Sequence, residues 1–414
     1  MMRKVFREMP LQIIHAGHVL GIAALLVPTV AVFALFLVTP IMVITLIGLI
    51  ALQVFGHSGG SHSDRPLVFT VAIILAWSAL SLFWTIDAED AFVKYVSVAG
   101  FGFLATAGLV FAPAFSEHER HALRRFILAG IAIGFIAVFF EMATTGAIGN
   151  IILSETRYGK QGDLSLSDPS SLLFLFVWPA AAILWRSWPL IATGVVGGAL
   201  VSSYFIPGAS ASIGLTIGTV FFFASLLASR GAMIFLAAAV TLGILAAPFA
   251  PRLAPEFNPA AIRAGSNSGD GAYLHRMDVW DFTIRNIEER PWAGWGFNAS
   301  SKFPGGNARY DVRDRSGKNV GQASRLPQHP HNGALQVWLE LGFPGALGFA
   351  ALFGLAALRT ARQADPAGAA AALALIATAV PMWFLSFGIW QIGGISVLLL
   401  TSLLFAALAV SPRA

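Results

Sequence analysis

Roughly twelve stretches of this chain are apolar for long enough to cross, or nearly cross, the ~30 Å hydrocarbon layer of a bilayer, and that repetition limits the fold more than any single residue does. They run at about 19–37, 40–55, 67–84, 92–112, 121–142, 170–186, 188–205, 209–228, 231–248, 334–358, 368–388 and 392–411. Only 11% of the residues are charged while 57% are apolar, against roughly 25% charged in a soluble domain. The expectation is an all-α polytopic membrane protein with about twelve transmembrane helices. The basic start, Met1-Met2-Arg3-Lys4-Val5-Phe6-Arg7, reads as the flank of an uncleaved first span. The chain has no cysteine, so disulfides and thiolate metal sites are excluded.

The charges orient these spans. With the N-terminus inside, the inner connections carry Arg65, then Arg120, Arg124 and Arg125, then Arg186, Arg230, Arg359 and Arg362, whereas the short outer loop holds Asp87, Glu89 and Asp90. Both termini then lie on the cytoplasmic side. The net charge of +5 is accounted for by this topology and by one loop, so nucleic acid is not an expected partner.

Three regions follow: spans one to nine over 1–248, a large outer loop over 249–333, and spans ten to twelve over 334–414. A smaller outer loop, about 143–169, contains Arg157, Tyr158 and Lys160. Long loops in compact proteins usually carry function, and these two are the candidates. The large loop has eleven Lys or Arg and eight Asp or Glu, and within 302–325 six basic residues face only Asp311 and Asp314. Such an excess suits an anionic ligand. Leu274, Met277, Trp280, Ile284 and Ile287 recur at three- and four-residue spacing, which predicts an amphipathic helix resting on the membrane and ended by Pro291.

At the end of that loop the chain reads Gln328-His329-Pro330-His331-Asn332-Gly333-Ala334-Leu335-Gln336, directly before an apolar helix expected to run through 337–358. Pro330 suits a helix start, which would put His331 and Asn332 in the first turn. Asn332, Gln336 and Glu340 are spaced four apart and share a face. An imidazole at a membrane surface is suited to proton transfer near neutrality; the plainer alternative is a capping role. Guanidinium groups at Arg157 and Arg276 could grip a diphosphate through their planar forks. Asp87, Glu89 and Asp90 fit helix capping better than a divalent ion site, the histidines at 57 and 62 lack further ligands, and no metal is assigned.

These residues resemble the O-antigen ligase and polymerase superfamily of bacterial envelope enzymes. The likeness rests on His329-Pro330-His331-Asn332 with Leu335-Gln336, Glu340-Leu341-Gly342 and Gly345; on Arg276 with Trp280, Pro291, Gly294 and Gly296; on Arg157 with Gly159 and Asp168-Pro169; and on Trp84 with Asp87. The resemblance implies an inner-membrane glycosyltransferase that takes glycan from undecaprenyl diphosphate at the periplasmic face, inverting the anomeric centre without metal or cofactor. The acceptor would be a lipid A core sugar in a ligase, or the end of another carrier-linked glycan in a polymerase. His331 would be the base, and Arg157 and Arg276 the charge on the leaving group. His329, Asn332, Gln336, Glu340 and Tyr158 would support them. One departure is Ser210-Ala211-Ser212, where many ligases carry an arginine; Arg325 or Lys160 is expected to supply that charge. A ligase is the first expectation, a polymerase the second, and a lipid-linked glycan transporter a third of a different class.

Overall fold

The computed structural model describes residues 15–56, 65–110, 115–148, 171–206, 208–253, 258–266, 271–363 and 365–409. The sequence expectations on Arg157, Tyr158, Gly159, Lys160, Asp168 and Pro169, and on the histidines at 57 and 62, fall outside these residues. The architecture is helical throughout the apolar segments: α1 (Ala16–Phe33), α2 (Val38–Gly56), α3 (Arg65–Ser81), α4 (Ala88–Val110), α5 (Glu117–Ala143), α6 (Val177–Trp185), α7 (Pro189–Phe205), α8 (Ala209–Ala246), α9 (Pro259–Gly265), α10 (Gly271–Glu289), α11 (Gly333–Arg359), α12 (Pro366–Leu385) and α13 (Ile392–Leu408). Among the described residues, eight helices are long and apolar enough to cross a membrane, and three more apolar helices are shorter. The protein is an all-α polytopic membrane protein. Twelve segments are reached only by dividing α8 at Ala228, whose φ of −146° and ψ of 64° break the helix beside Ser229-Arg230.

The core is built around α12. Its run of alanines from Ala369 to Ala372, with Ala374 and Ala377, is buried and lets neighbouring backbones come close, the usual basis of packing where water supplies no driving force. Thr378 of α12 accepts a hydrogen bond from the indole of Trp178 in α6 at 2.9 Å. Trp338 of α11 donates to the carbonyl of Ile244 in α8 at 2.8 Å.

The large loop is folded. Its helix α10 buries Leu274, Met277 and Ile287 as the periodicity predicts, but against protein: Trp280 donates to the carbonyl of Pro330 at 3.0 Å and Phe282 meets Phe303 edge to face. The expected rest on the membrane is corrected: three of the five residues of that face are buried in protein and Trp280 and Ile284 are half-buried, so the helix is docked on the fold. The loop also contains an antiparallel hairpin, β1 (Arg309–Arg313) with β2 (Asn319–Ser324), in register Arg309 to Ser324 and irregular after Val312.

The expectation of one unbroken helix over 337–358 also fails. At Gly342 (φ 63°, ψ −159°) α11 is broken, and Pro344, which has no N–H, follows two residues on. The carbonyls released are taken up from elsewhere: that of Leu339 by the N–H of Trp295 and that of Glu340 by the N–H of Gly296, both at 2.8 Å, and that of Leu341 by the indole of Trp77 at 2.8 Å. The N–H of Phe343 turns outward to the carbonyl of Pro291. A side chain at Gly294 or Gly342 would collide with the other's backbone neighbours. That close approach is the physical content of the Gly294, Gly296 and Gly342 pattern in the sequence.

Candidate active site

The break in α11 lets its first half serve as a polar hub. Every residue from 333 to 342 is buried. The Glu340 carboxylate, fully buried, accepts from Gln336 Nε2 at 2.9 Å, from the N–H of Asn298 at 2.9 Å, and from Ser300 Oγ and Trp390 Nε1. Those four donors fill about as many sites as a carboxylate offers. They tie three distant pieces of chain together: 298–300 of the loop, α11, and the segment after α12. Gln336 extends the network, since its Oε1 accepts from the N–H of Ile389 at 2.9 Å.

The segment fixed in this way, 386–391, holds both histidines. His331 Nδ1 lies 3.1 Å from the carbonyl of Ser386. A carbonyl only accepts, so this contact places the proton on Nδ1 and leaves Nε2 as the basic nitrogen. His329 Nδ1 accepts from the N–H of His331 at 3.2 Å, and its ring lies 4.5 Å, centroid to centroid, from that of His331. Nε2 of His329 must then carry the proton; the atom placed 3.2 Å from it is the side-chain nitrogen of Gln391, and the pair makes a hydrogen bond once that amide is turned over so that its oxygen accepts. Burial, with the adjacent His331 and Lys94, lowers the His329 pKa to about 3. The ring is therefore neutral across the working range.

The backbone corrects one expectation. Asn332 is the N-cap of α11, its Oδ1 accepting from the N–H of Leu335 at 3.1 Å. His331 precedes the helix, in the left-handed region at φ 50°, instead of sitting in its first turn. Such a conformation in a non-glycine residue persists only where its surroundings hold it, and here His329, Ser386 and the cap do so.

Arg276 is half-buried in α10, one turn before Trp280, which touches the histidine turn. Its chain neighbour His275 contacts the carbonyl of Ser324 at 2.8 Å, and Arg325, the residue after Ser324, is exposed. The structure thus gathers His329, His331, Asn332, Gln336 and Glu340 around the start of α11, whereas Arg276 connects to that turn only through its helix neighbour Trp280 and Arg325 bonds by its backbone N–H to Ala308 beside the hairpin; Arg157, Tyr158 and Lys160 fall outside the described residues. Asp87 caps α4 by accepting from the N–H of Asp90 at 3.0 Å, as the sequence suggested. Ser212, where an arginine is often found, donates to the carbonyl of Ser203 and so joins α8 to α7. Sequence reasoning missed Asn298, Ser300, Ser386, Trp390 and Gln391, because their roles arise from contacts forty or more residues away along the chain.

Residues 208–350, from the start of α8 to beyond the break in α11, match the protein family described as O-Antigen ligase. The chain is 25% identical over 346 residues to the Rickettsia prowazekii protein named "Putative polysaccharide ligase RP358", covering 81% of this chain and 80% of that one. Proteins similarly named from Rickettsia conorii, 25% identical with 80% and 78% covered, and from Rickettsia felis, 25% identical with 81% and 80% covered, match as well. The chain is thus similar, over this region and over most of its length, to proteins of the O-antigen ligase superfamily.

Proposed function

We propose that this protein is a periplasm-facing glycosyltransferase of the bacterial inner membrane that moves polysaccharide from undecaprenyl diphosphate to a lipid A core acceptor. The acceptor hydroxyl attacks the anomeric carbon, the bond from that carbon to the lipid diphosphate breaks with inversion, and the hydroxyl proton passes to His331. The observation that carries this reading is the contact from His331 Nδ1 to the Ser386 carbonyl, which leaves Nε2 able to accept that proton. The diphosphate gains negative charge as it leaves, and cationic donors aimed at its oxygens lower the barrier. Arg276 and Arg325 fill this role, with Arg157 and Lys160 from the smaller loop. Glu340 and Gln336 act at a distance, by fixing the 386–391 segment against which both imidazoles rest.

The test is product formation by His331→Ala at matched protein level. Removing a general base is expected to lower the rate by roughly 10²- to 10⁴-fold, while the amount of folded protein in the membrane stays the same. An unchanged rate would overturn the assignment and leave His331 a turn-forming residue.

A further inference from the structure

Two unlike groups of residues meet the 328–332 turn. Trp280, Ile284, Asn332, Ala334, Leu335 and Phe384 line an apolar cavity of about 250 Å³, and Arg276 lies one helical turn from Trp280. His329 meets Gln391 and feels the charge of Lys94 in α4, near the outer end of that helix. That end is fastened in place: the Asp90 carboxylate accepts from Asn298 Nδ2 at 2.8 Å and Ser301 Oγ at 3.0 Å, and Tyr95 packs edge to face on Phe297.

Lys94 is one turn beyond Asp90, on the same face of α4. It is half-buried, and its charge reaches His329, where it helps to keep that ring unprotonated. Among the described residues, no carboxylate or carbonyl pairs with its ammonium. A half-buried cation beside an imidazole, held there by a fixed helix end and with no counter-charge among the described residues, is arranged for an external anion. In an inverting displacement the incoming hydroxyl and the departing group occupy opposite faces of the anomeric carbon. Arg276 and the apolar cavity suit the lipid diphosphate, which leaves Lys94 to the acceptor.

We propose that Lys94 binds an anionic group of the glycan acceptor, a phosphate or a carboxylate, beside the histidine turn. This rests on the function proposed above.

The experiment uses the purified full-length protein with saturating carrier-linked donor and, as acceptor, lipid A core from a strain lacking the long glycan. The acceptor is offered untreated, dephosphorylated with hydrofluoric acid, or with its carboxylates amidated by carbodiimide. Lys94→Gln is expected to raise the acceptor KM about ten- to a hundredfold while leaving the donor KM unchanged, and Lys94→Arg to restore most of the loss. One treated acceptor should be poor for the unmodified protein yet no worse for Lys94→Gln, and that treatment identifies the anion. An unchanged acceptor KM, or a donor KM that rises in its place, overturns the proposal. His331→Ala assayed alongside separates the two ideas: if it is inactive while Lys94→Gln is silent, only the Lys94 proposal falls, whereas an active His331→Ala removes the reading beneath it.

Discussion

The turn from 328 to 332 and the hairpin from 309 to 324 belong to the same loop, yet they satisfy their polar groups in opposite ways. In the turn, the partners of the histidines come from far along the chain, from Ser386 and Gln391, and beneath it Glu340 is fully buried. In the hairpin, charges are answered locally and in water. Arg313 pairs with Asp311 at 3.2 Å, Gln322 also reaches Asp311, and the Asp314 carboxyl is lowered chiefly by the Ser316 hydroxyl two residues on. Charge density along the sequence points to the hairpin. The proposed chemistry is at the turn, where a charge or proton placed away from solvent interacts more strongly with what it faces.

If the turn depends on a rigid hub and the hairpin does not, equal backbone insults should have unequal consequences. Gly342 and Gly317 both have positive φ, 63° and 84°. A Cβ at Gly342 would run into the carbonyl of Trp292, whereas one at Gly317 meets nothing within 4 Å. Gly342→Ala is expected to lose several kcal/mol from strain and displaced packing, and with it most folded protein. Gly317→Ala should cost about 1 kcal/mol from backbone conformation alone. Melting temperatures in detergent check this. Equal shifts would mean that the break in α11 is not under tension from its neighbours.

The contrast also explains what the sequence allowed and what it hid. Apolar length and the three-and-four spacing of Leu274, Met277 and Ile287 are local signals, and the helices they predict are present. The His329 to Asn332 string marked the candidate site because proline, histidine and asparagine together before an apolar run are conspicuous. The break at Gly342 was hidden by apolar residues on both sides of it. The donors to Glu340 were invisible for a different reason: Asn298, Ser300 and Trp390 lie 42, 40 and 50 residues away from it in the chain, and such pairings leave no periodic trace.

A smaller effect separates the two regions by pH. With the His329 pKa lowered to about 3 in the fold and near 6.5 in an unfolded chain, the unfolded state binds more protons between those values. The contribution of neutral His329 is therefore complete above about pH 6.5 and is lost as the pH falls towards 3. In His329→Asn, Oδ1 can take the N–H of His331 in place of Nδ1 without titrating. The melting temperature of the unmodified protein should fall on acidification from pH 6.5 to 4, and that of His329→Asn should fall less. Asp314→Asn, in the exposed hairpin, should leave that acid limb where it was. Identical acid limbs in His329→Asn and the unmodified protein would show that another group controls it.

The finest contrast sets one arginine against another with charge held constant. If Arg276 grips phosphate through its planar fork, Arg276→Lys loses donors aligned with oxygens that gain charge in the transition state, and most activity should go although the positive charge remains. Arg313 has its fork spent within the hairpin: Nη2 lies on Asp311, and Nη1 donates to the carbonyl of Gly317 at 3.1 Å. These contacts are exposed, and exposed ion pairs contribute roughly 0–1 kcal/mol. Arg313→Lys should therefore leave both kcat and KM on a carrier-linked donor nearly unchanged. If both substitutions prove equally mild, Arg276 belongs with the hairpin's solvated charges, and the diphosphate grip has to be sought at Arg157, Lys160 and Arg325. If Arg313→Lys is the damaging one, the hairpin reaches the substrate, and the division between a buried reactive turn and a self-satisfied charged strand pair is wrong.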